Sequence, residues 1–175
     1  MLIDDPDQLP EAVTAFKAKG YRFLGREPLF ALDIPQRTIF LDHPVRRVTT
    51  IDDAAAIAKA ARSKQILPDH LNTDDSACRL FAAFHEQTPI GWVRSIRTHD
   101  NCAWVSNMFV NPDYRRRGIG RSLLSAMLED DLRLGVQWSV LLASLTGALL
   151  YPRIGYVQQG LLLIFSPIRK TRVGI

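Results

Sequence analysis

Apolar positions along the chain change their spacing several times, and each change marks an element. Leu123, Leu124, Met127, Leu128 and Leu132 recur at three- and four-residue steps, which predicts an amphipathic helix over 120–134 closed by Gly135. An alanine-rich run over 54–62 predicts a second helix, with Thr50 as its N-cap and Asp53 as the capping-box acid. Residues 10–19 predict a third, with Pro10 in the first turn and Gly20 at the end. Short β-rich runs predict strands at 21–24 and 29–34, joined through 25–28, and at 45–49. Three more, at 79–85, 90–97 and 102–110, have short polar links and so predict an antiparallel meander. The run 139–143 predicts a strand buried on both faces.

Beyond it, 146–154 predicts a helix start interrupted by Pro152, and Gly155-Tyr156 turns into a last strand pair at 157–159 and 161–166. Residues 63–75, with Pro68 and many polar side chains, predict a loop holding at most one short helix. The resulting order is that of an α/β domain with a mixed sheet. Punctuation at Pro35 and His43-Pro44 divides it into an N-terminal extension, 1–43, and a domain over 44–175. Phe16-Lys-Ala-Lys-Gly20-Tyr21 echoes Tyr151-Pro-Arg-Ile-Gly155-Tyr156, so the extension reads as a partial repeat of the C-terminal helix-strand-strand unit. A chance match accounts for the echo equally well, because helices often end in glycine.

Composition narrows the classes. With 175 residues, 47% hydrophobic and 23% charged, the chain has the proportions of one ordinary globular domain. No apolar run reaches the roughly 18 residues of a membrane span. Cys78 and Cys102 have neither metal-ligand nor redox spacing, which predicts no metal and a reducing, cytoplasmic setting. The net charge of +4 favours an anionic ligand. Its densest source, Arg115, Arg116, Arg117 and Arg121 around two glycines, is local rather than a stripe with interleaved aromatics, which argues against nucleic acid.

That cluster carries the chemistry. After a strand ending at Val110 and a turn at Asn111-Pro112, a helix opens at Gly118-Ile119-Gly120. Glycines let backbone approach a ligand, and the unpaired N–H groups of a first helical turn favour an anion. Forked arginine donors upstream suit phosphate. A glycine-rich turn capped by solvated arginines remains the other reading of the spacing. Two familiar phosphate loops, G-x-x-x-x-G-K-[ST] and G-x-G-x-x-G directly after a strand, are absent.

The stretch Arg115-Arg-Arg-Gly118-Ile-Gly120 resembles motif A, [QR]-x-x-G-x-[GA], of the GNAT superfamily of N-acetyltransferases. Its lead-in from Met108 to Tyr114, the amphipathic helix and the Leu150-Tyr151…Gly155-Tyr156 element extend the resemblance over about 45–167. The resemblance implies a mixed sheet that splays between strands 102–110 and 139–143, with acetyl-CoA as co-substrate in the gap. It implies pantetheine pairing at Met108 and Val110, and pyrophosphate on the N–H groups of Arg116, Arg117, Gly118, Ile119 and Gly120. Arg115 and Arg121 would add charge, and Ser122 and Ser144 hydroxyls. Near Phe109 a backbone N–H would polarise the thioester carbonyl, and Tyr151 would be the general acid for the departing thiolate.

The chain departs from the family in two ways. Strand 102–110 holds no carboxylate to serve as base, only Ser106 and Asn107, which leaves a water chain or a group from elsewhere. Glu86, His85, His99, Asp74 and Asp75 qualify by chemistry, although each also reads as a solvated turn residue. The family's Asn after the fifth strand, and Ala three residues on, are Ser144 and Gly147 here.

An acceptor site is expected from 63–75, the third-to-fourth strand region and the C-terminal strands, with Asp69, Asp74, Asp75, Trp92 and Trp104 as its acids and aromatics. The expected activity is transfer of acetyl to a primary amine of a small molecule or peptide, without nucleic acid or membrane, with a homodimer as the candidate assembly. The alternative is a non-catalytic acyl-CoA-binding sensor or interaction module.

Overall fold

The structure, a computed structural model, describes residues 1–71, 73–98, 101–144 and 147–168. Its strands are β1 (Leu2–Ile3), β2 (Tyr21–Asp33), β3 (Arg46–Arg47), β4 (Cys78–His85), β5 (Thr88–Arg97), β6 (Cys102–Val110), β7 (Trp138–Leu142) and β8 (Val157–Pro167). The helices are α1 (Leu9–Ala18), α2 (Ile51–Ala61) and α3 (Ile119–Arg133). All eight strands form one sheet in the order β1-β8-β2-β7-β6-β5-β4-β3. The meander β4-β5-β6 is antiparallel as expected, and β6 and β7 are the parallel pair that makes the sheet mixed. Among the described residues no helix is long and apolar enough to cross a membrane.

Local signals mostly locate the helices. Thr50 Oγ1 accepts from the N–H of Asp53, as an N-cap should, while the Asp53 carboxylate pairs with Arg46 rather than closing a capping box. Gly135 follows α3 at φ 80°, where a Cβ would be strained.

Four expectations are corrected. The two short strands and turn at 21–34 are one strand, β2, because a bulge between Phe23 and Gly25 absorbs the break and Pro28 still offers its carbonyl to Ala143 N. The pair at 157–166 is likewise the single β8. Its Gly160 is not a turn residue; a Cβ there would lie 2.5 Å from Ile3 O, so glycine admits β1 alongside. The helix expected at 146–154 is two 3-10 turns, Gly147–Leu149 and Tyr151–Arg153, since Gly147 and Pro152 both disfavour α-helix; Leu145 and Thr146 lie outside the described residues. The echo thus relates two segments with one strand each, and these strands pair antiparallel from Tyr21↔Pro167 to Ala31↔Val157. β7 is also not buried on both faces: Ser139 and Leu141 are buried, Val140 and Leu142 only partly, and Trp138 is half exposed.

Alternation in β4 builds two layers. Leu80 and Ala82 pack with Ile57 of α2 and Trp92, whereas Phe81 and Ala83 join Leu123, Leu124, Met127 and Leu128 of α3. β2 feeds the second layer with Phe30 and Leu32. A smaller cluster, Ile3, Ala12 and Leu163, holds α1, where Phe16 stacks on Phe165 at 4.2 Å. Inside the α3 layer lies a fully buried ion group. Arg79 donates to Asp131 Oδ1 at 2.5 Å, to Asp130 Oδ2 at 2.9 Å and to Ser95 Oγ at 3.2 Å, and Ser95 Oγ donates to Asp131 at 2.8 Å. It ties the C-terminal half of α3 to β4 and β5, which aims the other end of the helix at the C-terminal end of β6. Burial pushes the Asp131 carboxyl above its ordinary range, against the pull of Arg79 and Ser95.

Arg79→Met strips Asp131 of its charge partner and should destabilise the chain by about 3–5 kcal/mol at neutral pH, read by urea unfolding. A carboxyl whose folded pKa is raised loses stability as pH rises above its unfolded pKa, so this deficit should shrink on acidification. A deficit that does not change on acidification from neutral pH would contradict the assignment.

Candidate active site

Parallel pairing between β6 and β7 lasts three residues, Cys102↔Trp138, Ala103↔Ser139 and Trp104↔Val140. From Val105 to Val110, β6 keeps β5 on one side and has parted from β7 on the other. A bulge drives the divergence: Trp92 faces Phe109 but Arg94 faces Ser106, so Asn107 and Met108 oppose a single residue, and Asn107 sits at φ 50°. The edge of β6 that turns toward the gap belongs to Met108, Phe109 and Val110, the backbone expected to hold pantetheine.

At the mouth of this gap, Asn111 caps the 3-10 turn Pro112–Tyr114, Arg116 adopts φ 61° and Gly118 φ 85°, and α3 begins at Ile119 without a side-chain cap. Its first-turn N–H groups therefore face outward with no intrahelical partner. Gly120 packs where a Cβ would lie 3.2 Å from both Met108 Cε and Leu150 Cδ2, so the helix start abuts β6 and the 3-10 segment directly. Arg115 Nε donates to Val110 O at 3.0 Å, and the Arg117 guanidinium lies over the Tyr114 ring.

Arg121 and Ser122 have partners that the sequence pattern did not reveal. Residues 40–43 run along the start of α3. Asp42 takes a bidentate pair from Arg121 at 2.5 and 2.9 Å, His43 N donates to Ser122 Oγ at 3.2 Å, Phe40 N to Ser125 Oγ, and His43 Nε2 meets Arg117 O. Ser122 is buried. Asp42 lies so near Gly118 that a Cβ would come within 2.8 Å of it, which makes glycine obligatory on two counts, space and φ. The sole signal was His43-Pro44, which reads as punctuation and says nothing of a clasp.

Across the gap, Tyr151 is 7% exposed, and its hydroxyl lies 3.7 Å from Met108 Sδ. Its ring is held edge-on by Tyr156 at 5.6 Å and meets the tilted ring of Phe30 at 5.9 Å. Burial raises the Tyr151 phenol above its usual value, so it stays protonated at neutral pH and is a donor. Tyr156 is raised further and shares a hydrogen bond with Ser139 at 2.7 Å. Ser144 Oγ accepts from Gly147 N at 3.2 Å, beside the same ring.

On the other side of β6 lies a cavity of about 300 Å³ between α2 and the bulge, lined by Ala60, Ser63, Gln65, Trp92, Asn107 and Phe109 among others. Trp92 and Phe109 stack at 4.5 Å. Gln65, absent from the sequence-based candidates, donates to Ser63 Oγ and accepts from Asn107 Nδ2 at 3.0 Å. None of the expected acids lines it. Asp74 and Asp75 give their carbonyls to Arg47 and Arg97 near the start of β4, the far end of the sheet. His85 and Glu86 are exposed at the β4–β5 turn, His85 beside Tyr114. Asp69 is exposed, Trp104 does not reach the cavity, and His99 lies outside the described residues.

A mixed sheet split beside a glycine-opened helix defines the class of protein: the GNAT-like N-acyltransferase fold. Residues 76–158 match the family described as acetyltransferase (GNAT) domain, and over this stretch the chain resembles the GNAT superfamily. Similar solved structures include a GCN5-related N-acetyltransferase from Kribbella flavida, with TM-score 0.73, 15% identity, 92% of this chain and 65% of that one. Another, from Sphaerobacter thermophilus, has TM-score 0.64, 20% identity, 92% of this chain and 57% of that one. An aminoglycoside N-acetyltransferase in complex with CoA has TM-score 0.55, 17% identity, 66% of this chain and 92% of that one. The chain spans less than two thirds of the length of the first two. Comparison with curated proteins gives no match.

The Asp42–Arg121 pair is about one-third exposed on each side, so it contributes at most about 1 kcal/mol. Asp42→Ala should leave global stability nearly unchanged while amides 116–122 exchange up to about fivefold faster with deuterium. Unchanged exchange there would mean that the clasp does not hold the loop.

Proposed function

We propose that this chain is an acetyl-CoA-dependent N-acetyltransferase that acylates a primary amine of a small molecule or peptide by direct transfer. The observation that carries the reading is the parting of β6 from β7 after three residue pairs, with an uncapped helix start at one end of the gap and a buried phenol across it. Residues 44–175 are read as the transferase domain, and 1–43 as an extension whose β2 fills the sheet between β7 and β8.

Each group then has a task. The free edge of β6 at Met108 to Val110 offers backbone partners to an extended pantetheine arm, and its N–H near Phe109 polarises the carbonyl under attack. The N–H groups from Arg116 to Gly120 receive the pyrophosphate, with Arg115 beside them. Arg121 and Ser122 act chiefly through residues 40–43, holding the loop in place. Tyr151 Oη holds a proton within reach of the Met108 side of the gap and gives it to the departing thiolate. Among the described residues no carboxylate lines the acceptor cavity, so the attacking amine must arrive already neutral or lose its proton to water near Asn107 and Ser106.

Tyr151→Phe should lower kcat about 100-fold with little change in the affinity for acetyl-CoA. For the native chain, kcat/KM should rise with pH as the amine deprotonates and show no fall from Tyr151 below pH about 10, because its phenol is raised. Gly118→Ala should weaken acetyl-CoA binding at least tenfold by calorimetry. Gly135→Ala, equally strained but with open space around it, should cost stability alone. Tight acetyl-CoA binding without turnover on any amine would favour the sensor reading, which draws on the lack of a carboxylate in the cavity.

A further inference from the structure

Next to the acceptor cavity lies a second one of about 250 Å³, lined by Lys64, Gln65, His70, Cys78 and Arg94 together with two apolar residues. Its lining, among the described residues, holds no carboxylate. Among the described residues neither Lys64 nor Arg94 forms an ion pair with a carboxylate.

Arg94 is fixed in place. Its Nε donates to Ser106 Oγ at 2.9 Å and its Nη1 to Gln65 O at 3.0 Å, which leaves its remaining N–H donors for another acceptor. His70 is oriented too. Ser76 Oγ spends its one proton on Cys78 O at 2.9 Å, so the 2.9 Å contact with His70 Nδ1 must be donated by the imidazole, leaving Nε2 as its second functional nitrogen. Gln65 walls both cavities, with its carbonyl on Arg94 and its side-chain oxygen on Asn107.

Resting on the transferase reading of the first cavity, we infer that the second is an anion subsite for the acceptor: the amine substrate carries a carboxylate or phosphate that Arg94 and Lys64 receive. The spacing follows from the strands. Trp92, paired with Phe109, floors the first cavity, and Arg94, paired with Ser106, floors the second. The centres are two residues apart along β5, roughly 7 Å, which suits an extended spacer between amine and anion rather than an α-amino acid. A guanidinium held by two hydrogen bonds is already ordered, so little entropy opposes its grip on a carboxylate or phosphate.

The test compares matched acceptors with acetyl-CoA: ε-aminocaproate against hexylamine, and aminohexyl phosphate against aminohexanol. The anionic member should show a KM at least tenfold lower, and Arg94→Gln should erase that ratio. Equal KM values in the native chain, or a rise for both members alike in Arg94→Gln, overturns the subsite. Because Arg94 also joins β6 to Gln65, Lys64→Gln provides a variant at an exposed position that should cut the same ratio severalfold.

Binding without turnover is read separately. Glutarate and inorganic phosphate are titrated into the full chain and followed by the side-chain NMR signals of His70 and Arg94. Saturable shifts of the His70 signals that disappear in Arg94→Gln support the subsite, and the stronger ligand identifies carboxylate or phosphate. No saturable shift overturns it. If these shifts persist while no amine is acetylated, the transferase reading alone fails.

Discussion

The whole candidate site depends on the point where β6 and β7 stop sharing hydrogen bonds. A parallel pair that continued past Trp104 and Val140 would be an ordinary sheet interior, with every backbone group satisfied. The bulge at Asn107 and Met108 instead turns β6 away, so the strand reaches Val110 with one edge unpaired. An unpaired edge inside a sheet is costly unless something covers it. Here Arg115 returns to Val110 O, and Leu150 and Tyr151 fold back toward Met108 and Gly120. The gap is lined by groups that an extended, amide-bearing ligand can replace.

The gap stays open because its two sides are anchored separately. On one side α3 is fixed at its far end by the buried Arg79, Asp131 and Ser95 group. At its near end it is fixed by Asp42 and His43 from the extension. On the other side β7 has little pairing with β6 and is held by β2, through five residue pairs from Leu29↔Leu142 to Asp33↔Trp138. The same N-terminal 43 residues thus brace both sides: β2 supports the β7 arm and residues 40–43 the helix start.

This division explains what could be read in the sequence. Period and punctuation located α2, α3 and the meander, because each is specified by its own residues: Thr50 as a cap, Gly135 as a stop, polar turns between β4, β5 and β6. The glycines of the loop were legible for the same reason. Features set by partners distant in sequence were not. Gly160 looks like a turn and is a crossing point for β1; 25–28 looks like a hairpin link and lies inside β2, whose length is dictated by β8. No local pattern announces that Asp42 meets Arg121 across 79 residues, or that Gln65 reaches Asn107 across 42.

The candidate acceptor region illustrates the same limit with chemical consequences. Counting acids between 63 and 75 suggested a pocket for a cation, but Asp74 and Asp75 lie at the wrong end of β4, where register with β5 carries them away from Phe109. What register brings to the bulge is Arg94, opposite Ser106, and the loop adds Lys64 and His70 beside it. Charge composition of a segment therefore misleads when strands run antiparallel, since residues near in sequence separate by the length of the sheet. A neutral amide-lined cavity adjoining a cationic one can distinguish the two ends of a substrate: the amine must be free of charge to attack, and the anion holds the molecule while it does so. On the proposed reading, selectivity rests on Arg94 and Lys64, while the gap between β6 and β7 serves whichever acceptor they admit.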